Sequence, residues 1–318
     1  MCLLGHNAYS WGAWAHKHVN RGAVMALPLE MRTFYYNHID FISEGAVVPD
    51  LRRGVLNDRE EPPRHFIDIE DYNISIASMP KTWKEAREKY DSLFLDKSGY
   101  VPWYIQTLMD KLTTAFKRKN RSEIIFISAE LGHYVGDAHV PLHTSSNHDG
   151  QLTNQKGIHS FWESQLPELF GNTYDYHVPD AVFIDDVPKE TWKIIEESHR
   201  LVEITLGVER ILYNSTPKEQ VWEPEVRSST GQFTSRKHTV AYAQKYHDAL
   251  NHMVEKQMKA AITSVSNFWY TAWVNAGKPD LSGLDDEALA KASSKNRKKE
   301  LKAWKKGKIL NLDIKKTE

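Results

Sequence analysis

Residues 121–138, RSEIIFISAELGHYVGDA, decide the fold. Apolar residues recur there every three or four positions, the period of a helix with one buried face. The same stretch sets His133 and Asp137 four residues apart, on one face, with Cβ atoms about 5–6 Å apart. Helical periodicity continues in both directions. Residues 103–117 repeat the pattern upstream. Residues 188–213 and 239–275 repeat it downstream and are rich in Ala, Leu, Glu, Lys and Met, all good helix formers. Residues 15–27 carry apolar side chains at helical spacing up to Pro28, which suits the start of a next helix over 29–44 that ends near Gly45. Sustained period-two alternation is almost absent. The sequence therefore predicts an all-α, multi-helix domain with long functional loops at 45–80, 139–158 and 214–238.

Composition narrows the chemistry. The 318 residues are 41% hydrophobic, enough for a sizeable core in one large domain or two small ones. Lys plus Arg number 41 and Asp plus Glu 42, so the overall charge favours no partner. Cys2 is the one cysteine, which excludes a disulfide framework and a Cys-based zinc site within the chain. Any metal must be held by His, Asp and Glu. No run of about 18 apolar residues exists to form a transmembrane helix.

Both ends stand apart. In MCLLGHNAYS, Ala8-Tyr9-Ser10 has the small–x–small form of a signal-peptidase site, so residues 1–10 are expected to be a signal-peptide remnant and the protein to be exported. Residues 11–277 then form the catalytic helical domain. After Pro279 the chain turns polar, and Lys298, Lys299, Lys302, Lys305, Lys306 and Lys308 surround Leu301 and Trp304. Residues 278–318 are expected to be a basic, partly disordered tail that could touch an anionic surface. There is no internal repeat, and no obligate protein partner is evident.

The candidate chemistry lies between Trp11 and Glu163. His159-Ser-Phe-Trp-Glu163 repeats the spacing of His133 and Asp137, and Pro141-Leu142-His143 lies between the two pairs. Five polar groups among apolar residues in so short a stretch need partners, because buried charge is costly unless paired or metal-bound. Upstream, Asp50 follows a helix end, and Arg64-His65-Phe66-Ile67-Asp68 is a short apolar stretch with a His at its head. Zinc takes nitrogen and carboxylate ligands, and zinc ions sharing carboxylates suit phosphate-ester hydrolysis. Asp68 could orient His65 or cap a turn. His18 should face away from His16. His38 reads as structural, and His139 as an outward residue or one that supports a neighbouring ligand.

Taken in order, Trp11-Gly-Ala-Trp-Ala-His16, Asp50, His65-Phe-Ile-Asp, His133-x-x-x-Asp137, Pro-Leu-His143 and His159-x-x-x-Glu163 resemble the trinuclear-zinc superfamily. That superfamily joins bacterial zinc-dependent phospholipase C to the single-strand-specific nucleases. The resemblance covers about half the chain and implies three zinc ions. It implies that Asp50, His65, His133 and Asp137 hold one, and that His143, His159 and Glu163 hold a second. The third would take His16, Asp137 as a bridge, and Trp11 through a free α-amino group and carbonyl. The resemblance also makes Asp50 the candidate general base, a role it could share with ligation.

The implied substrate is a phosphodiester, either a phospholipid or single-stranded nucleic acid. Glu163 looks like the phospholipase branch, where nucleases usually place Asp; the short spacing from Trp11 to His16 looks like the nucleases. The expectation leans to a phospholipase C-like enzyme, with a single-strand nuclease as alternative. A non-catalytic helical protein with a structural zinc site is the third reading. Phe66 and Arg52, with Arg53 beside it, are candidate substrate-binding residues.

Overall fold

The computed structural model describes residues 12–224, 237–285 and 287–310. Among them there is no strand, and one isolated antiparallel bridge joins Trp222 to His238. The helices that build the fold are α1 (Ala13–Ala26), α2 (Leu29–Asn37), α3 (Ile39–Gly45), α4 (Val48–Gly54), α5 (Val101–Lys117) and α6 (Arg121–Ala138). They continue with α7 (Val187–His199), α8 (Val202–Ser215), α9 (Val240–Ala249), α10 (Met253–Asn275) and α11 (Glu287–Trp304). No described helix is long and apolar enough to cross a membrane.

Helix α6 lies at the centre. The Asn120 side chain caps its start by accepting the Glu123 N–H. From Ser128 to Ala138 every residue is buried, polar ones included. Helices α1, α3, α5 and α10 pack around it. Close approach of α1 is built from small residues: a Cβ on Gly132 would sit 1.9 Å from Asn20 Oδ1, and one on Gly22 2.7 Å from Ile262 Cδ1. Buried Asn20 then ties three helices together, donating to the carbonyls of Ile42 and Ala129 at 3.1 Å each.

Several expected helices divide. The 29–44 stretch breaks at His38, whose ring bonds Asp285 Oδ1 at 2.7 Å. The 188–213 stretch breaks at Arg200 and Leu201. The 239–275 stretch breaks where Asn251 and His252 both turn left-handed, at φ 50° and 60°. Periodicity carries through each break because both halves bury apolar faces in the same core.

The segment set apart as a tail is helical through Trp304. Buried Glu300 accepts from Arg21 Nη2 at 2.7 Å and from Tyr36 Oη at 2.9 Å, docking α11 on α1 and α2. Trp304 is buried while Lys298, Lys299, Lys302 and Lys305 face solvent. The apolar side that composition offered to a lipid surface is thus used inside the fold. Residues 1–11 and 311–318 lie outside the described residues.

Candidate metal centre

Six segments deliver the polar cluster. His16 comes from α1, Asp50 from α4, His133 and Asp137 from α6, and His143 from the 3-10 turn Pro141–Thr144. His65 follows another 3-10 turn, Pro62–Arg64. Helical residues Ile158–Ser160 and the π-helical turn Phe161–Gln165 supply His159 and Glu163. All of these side chains are buried. Trp11 lies outside the described residues, but Gly12 donates its N–H to the Glu163 carbonyl at 3.2 Å.

The ligand-type atoms converge in three sets, each within 4.8 Å: His16, His133 and Asp137; Asp50, His65 and His133; His143, His159 and Glu163. Hydrogen bonds fix which nitrogen faces inward in three of the rings. His133 Nδ1 donates to the Ala46 carbonyl at 2.7 Å, His143 Nδ1 to the His65 carbonyl at 2.7 Å, and His159 Nδ1 to the His148 carbonyl at 3.0 Å. A carbonyl only accepts, so in the neutral rings Nε2 is left with its lone pair.

Those lone pairs meet. His143 Nε2 and His159 Nε2 are 3.0 Å apart, and Glu163 Oε2 lies 3.3 and 3.0 Å from them. On the other side, His133 Nε2 is 3.0 Å from His65 Nδ1 and 3.2 Å from Asp137 Oδ2, which is itself 2.9 Å from His65 Nδ1. Acceptors gathered this closely repel one another unless a proton or a metal cation lies among them. Asp137 joins the two sides: its Oδ1 is 3.4 Å from His16 Nε2 and 3.7 Å from His143 Nδ1. Buried Glu163 Oε1 accepts no hydrogen bond. Nitrogen and carboxylate donors in this arrangement fit zinc.

The electrostatics agree. Burial pushes the Glu163 carboxyl up to about 8, so at neutral pH its ionised form needs a cation beside it. Burial depresses His159 to about 4, and the nearby Arg53 charge adds to this. Burial also lowers His16 to about 4, with His133 contributing. These rings stay neutral, as metal ligands must. Burial would raise Asp50, but the attraction of His133, and after it His65, outweighs it and holds the carboxyl below its usual range.

Among the other residues singled out in the sequence, His139 and Arg52 fall out differently from expectation, and His18 faces away from His16 as expected. His139 does not face outward; it is buried, with Nε2 2.9 Å from Ser264 Oγ on α10. His18 donates from Nδ1 to the Trp14 carbonyl and stacks on the Trp14 ring. Asp68 precedes the 3-10 turn Ile69–Tyr72, and its N–H bonds the Ser98 carbonyl. Arg52 is already engaged within the protein, donating to Glu61 Oε2 at 2.9 Å, to Tyr134 Oη at 3.2 Å and to Glu130. Its neighbour Arg53 is the one beside the cluster, 3.5 Å from Asp50 Oδ1. Phe66 is half-buried, with its ring against Gly99.

One residue near the cluster was not anticipated. Glu61 is fully buried, four residues before His65, with Oε1 3.3 Å from His65 Nε2. Spacing of four signals a shared face only on a helix. Pro62 and Pro63 lie between them and removed that signal.

Residues 11–276 match the profile of the S1/P1 nuclease family, and the chain belongs to that family. Among solved structures it is similar to the alpha-toxin of Clostridium perfringens from avian strain SWCP, at 16% identity and a TM-score of 0.47. That likeness covers 86% of this chain and 65% of the toxin, so this chain spans less than two thirds of the toxin's length. It is also similar to the alpha toxin of Clostridium absonum, at 12% identity and a TM-score of 0.45, over 89% of this chain and 67% of that one. No curated protein matches.

Proposed function

We propose that residues 11–277 form a catalytic unit that hydrolyses phosphodiesters at three zinc ions, with a phospholipase C-like preference for lipid substrates. In this reading Asp50, His65, His133 and Asp137 hold one zinc, and His143, His159 and Glu163 a second. His16 and Asp137 hold the third, completed by Trp11 once processing frees its α-amine. Export is part of the same proposal. Bound zinc supplies Lewis acidity at the phosphate and water at neutral pH. Asp50, ionised beside the cluster, orients and deprotonates the attacking water. Arg53, with its guanidinium 3.5 Å from Asp50, pairs with a phosphate oxygen of the substrate.

The observation that carries the lipid preference is the exposed apolar side chains on the segments that hold the cluster. Leu51, on the helix that carries Asp50, and Val55 and Leu56, just beyond its end, are 46%, 67% and 71% exposed. Leu152 is 71% exposed on the loop whose His148 carbonyl and Asp149 carboxylate hold His159. Apolar tips beside a buried polar site suit an enzyme that meets its substrate at a lipid surface, each Leu gaining about 1.5–3 kcal/mol when fully buried there. The nuclease reading has its own support in the family match and in Phe66, a half-exposed aromatic next to His65. Base stacking on such a ring contributes about 1–3 kcal/mol.

Parallel assays on phosphatidylcholine vesicles and on single-stranded DNA test the choice. The expected outcome is zinc-dependent release of the phosphorylated head group, reduced in the Leu56→Ser, Leu152→Ser double variant. Zinc-dependent cleavage of DNA with no turnover of lipid overturns it in favour of the nuclease.

A further inference from the structure

Helix α11 has a side that the fold does not use. Its inward side is committed to docking, through Glu300 on Arg21 and Tyr36 and through buried Trp304, whose ring lies 5.7 Å from that of His177. The Gly307 carbonyl accepts from the Tyr176 N–H at 2.9 Å, so the turn after the helix is tied down as well. The outward side carries Lys291, Lys295, Lys298 and Lys302, all exposed. At about 3.6 residues per turn these four fall within about 60° of arc and along about 16 Å of axis. Exposed Lys305 continues the row into the turn, and exposed Lys299 and Lys306 flank it.

Nothing described in the chain neutralises this row. Glu300 is the sole acidic residue between positions 291 and 308, and it points inward. Among the described residues no carboxylate pairs with any of these lysines. Like charges three and four residues apart on a helix repel one another. Contacts on the opposite side of the helix therefore hold the row together against its own repulsion. The chain as a whole is close to neutral, with 41 basic and 42 acidic residues, so any attraction to a polyanion has to be local.

We propose that the lysine row of α11 docks the protein on an anionic lipid bilayer, a choice of polyanion that rests on the lipid reading above. A convex helix face lies flat against a plane. Single-stranded nucleic acid is held instead in a basic groove, with aromatic rings on which its bases stack. Trp304 is the sole aromatic residue between positions 291 and 308, and it is buried. Lysines act as compact point charges and match the diffuse charge of a headgroup layer, where the planar fork of Arg suits single phosphates. The inward, apolar side of α11 stays in the protein, so docking is electrostatic and leaves the helix where it is.

Vesicle co-sedimentation of the full chain tests this, with phosphatidylcholine alone against phosphatidylcholine mixed with phosphatidylserine. The wild type is expected to bind the mixed vesicles more tightly. That gain should fade as salt rises from about 0.1 M to about 1 M and the screening length falls from about 10 Å to about 3 Å. Each lysine at such a surface strengthens binding about fivefold, so a Lys295→Gln, Lys298→Gln, Lys302→Gln triple variant should bind mixed vesicles roughly 100-fold more weakly. Its affinity for pure phosphatidylcholine should not change, nor its turnover of a short-chain, water-soluble phosphatidylcholine. Lys111→Gln, Lys117→Gln, Lys189→Gln removes the same charge from exposed positions elsewhere and should bind as wild type. Wild-type affinity for mixed vesicles in the α11 variant overturns the proposal, as does an equal loss in the control. Loss of single-stranded DNA binding in the α11 variant, with vesicle binding unchanged, also overturns it and assigns the row to nucleic acid. Selective binding of mixed vesicles without any lipid turnover would sink the lipid reading of the active site and leave the docking row standing. Turnover of lipid with no preference for mixed vesicles would sink the docking row alone.

Discussion

The two sides of the cluster are built from different materials. His16, His133 and Asp137 project from α1 and α6, which cross so closely that Gly132 has no room for a side chain. His143, His159 and Glu163 come from a 3-10 turn, a single turn of helix and a π-helical turn. Between them runs a loop knitted by its own polar groups, with Asp149 Oδ1 accepting from the N–H groups of Gly157 and His159. The first side is preorganised by the core. The second depends on a loop and on its own ligands, so bound metal should contribute more of its order. A rigid half that fixes geometry beside a looser half that admits substrate is a workable division for a hydrolase.

The substitution that ignores this division should be the most damaging. Asp137 faces both sides, so Asp137→Asn is expected to remove more than one zinc and to lower turnover by more than ~100-fold, above the usual effect of losing a ligand's supporting partner. His16→Ala should cost less zinc and less activity. Metal analysis beside kinetics checks this, and full zinc in Asp137→Asn would overturn the bridging role.

Glu163→Gln comes next and should break one side alone. One zinc is lost and activity falls, while the zinc held by the α6 ligands stays at wild-type affinity. If both sides empty together, the halves are coupled and the comparison fails.

Stripping metal with a chelator should sharpen the contrast without mutation. Limited proteolysis or hydrogen exchange is expected to show faster opening at residues 145–165, with α6 protected as before. Uniform loosening would show that the core half also needs its metal.

The smallest effect on chemistry belongs to Gly132→Ala. The added methyl would meet Asn20 Oδ1 at 1.9 Å and force α1 and α6 apart. Thermal unfolding should register a loss of about 1–3 kcal/mol. His16 should shift relative to His133, and the His143 side should keep its zinc.

The same contrast explains what could be read from sequence. Helix α6 was legible to the residue, because unbroken periodicity and a four-residue His–Asp spacing agreed, and the Asn120 side chain caps it where the periodicity begins. The breaks at His38 and at Asn251 and His252 were not, since neither the non-helical backbone of His38, at φ -114° and ψ 15°, nor a left-handed residue leaves a trace in hydrophobic period. In the cluster, pairs borne on helices announced themselves by spacing. Glu61 reaches His65 through a Pro-Pro turn, and Arg52 and Arg53 are adjacent residues that point in different directions on one helix. Docking of α11 depended on Glu300 meeting Arg21 across 279 residues, which no local pattern encodes.

The carbonyls of Ala46, His65 and His148 have a consequence for how this centre can vary. A main-chain oxygen is present whatever side chain is attached, so no point substitution deletes it. Insertions and deletions can, because they redirect the chain that aims it. The histidine orientations are thus insensitive to the spelling of the loops around residues 46 and 148 and sensitive to their length. Variants that lengthen or shorten those loops are where loss of the centre should concentrate, and a designer who wishes to retune the enzyme has freedom in composition there but little in register.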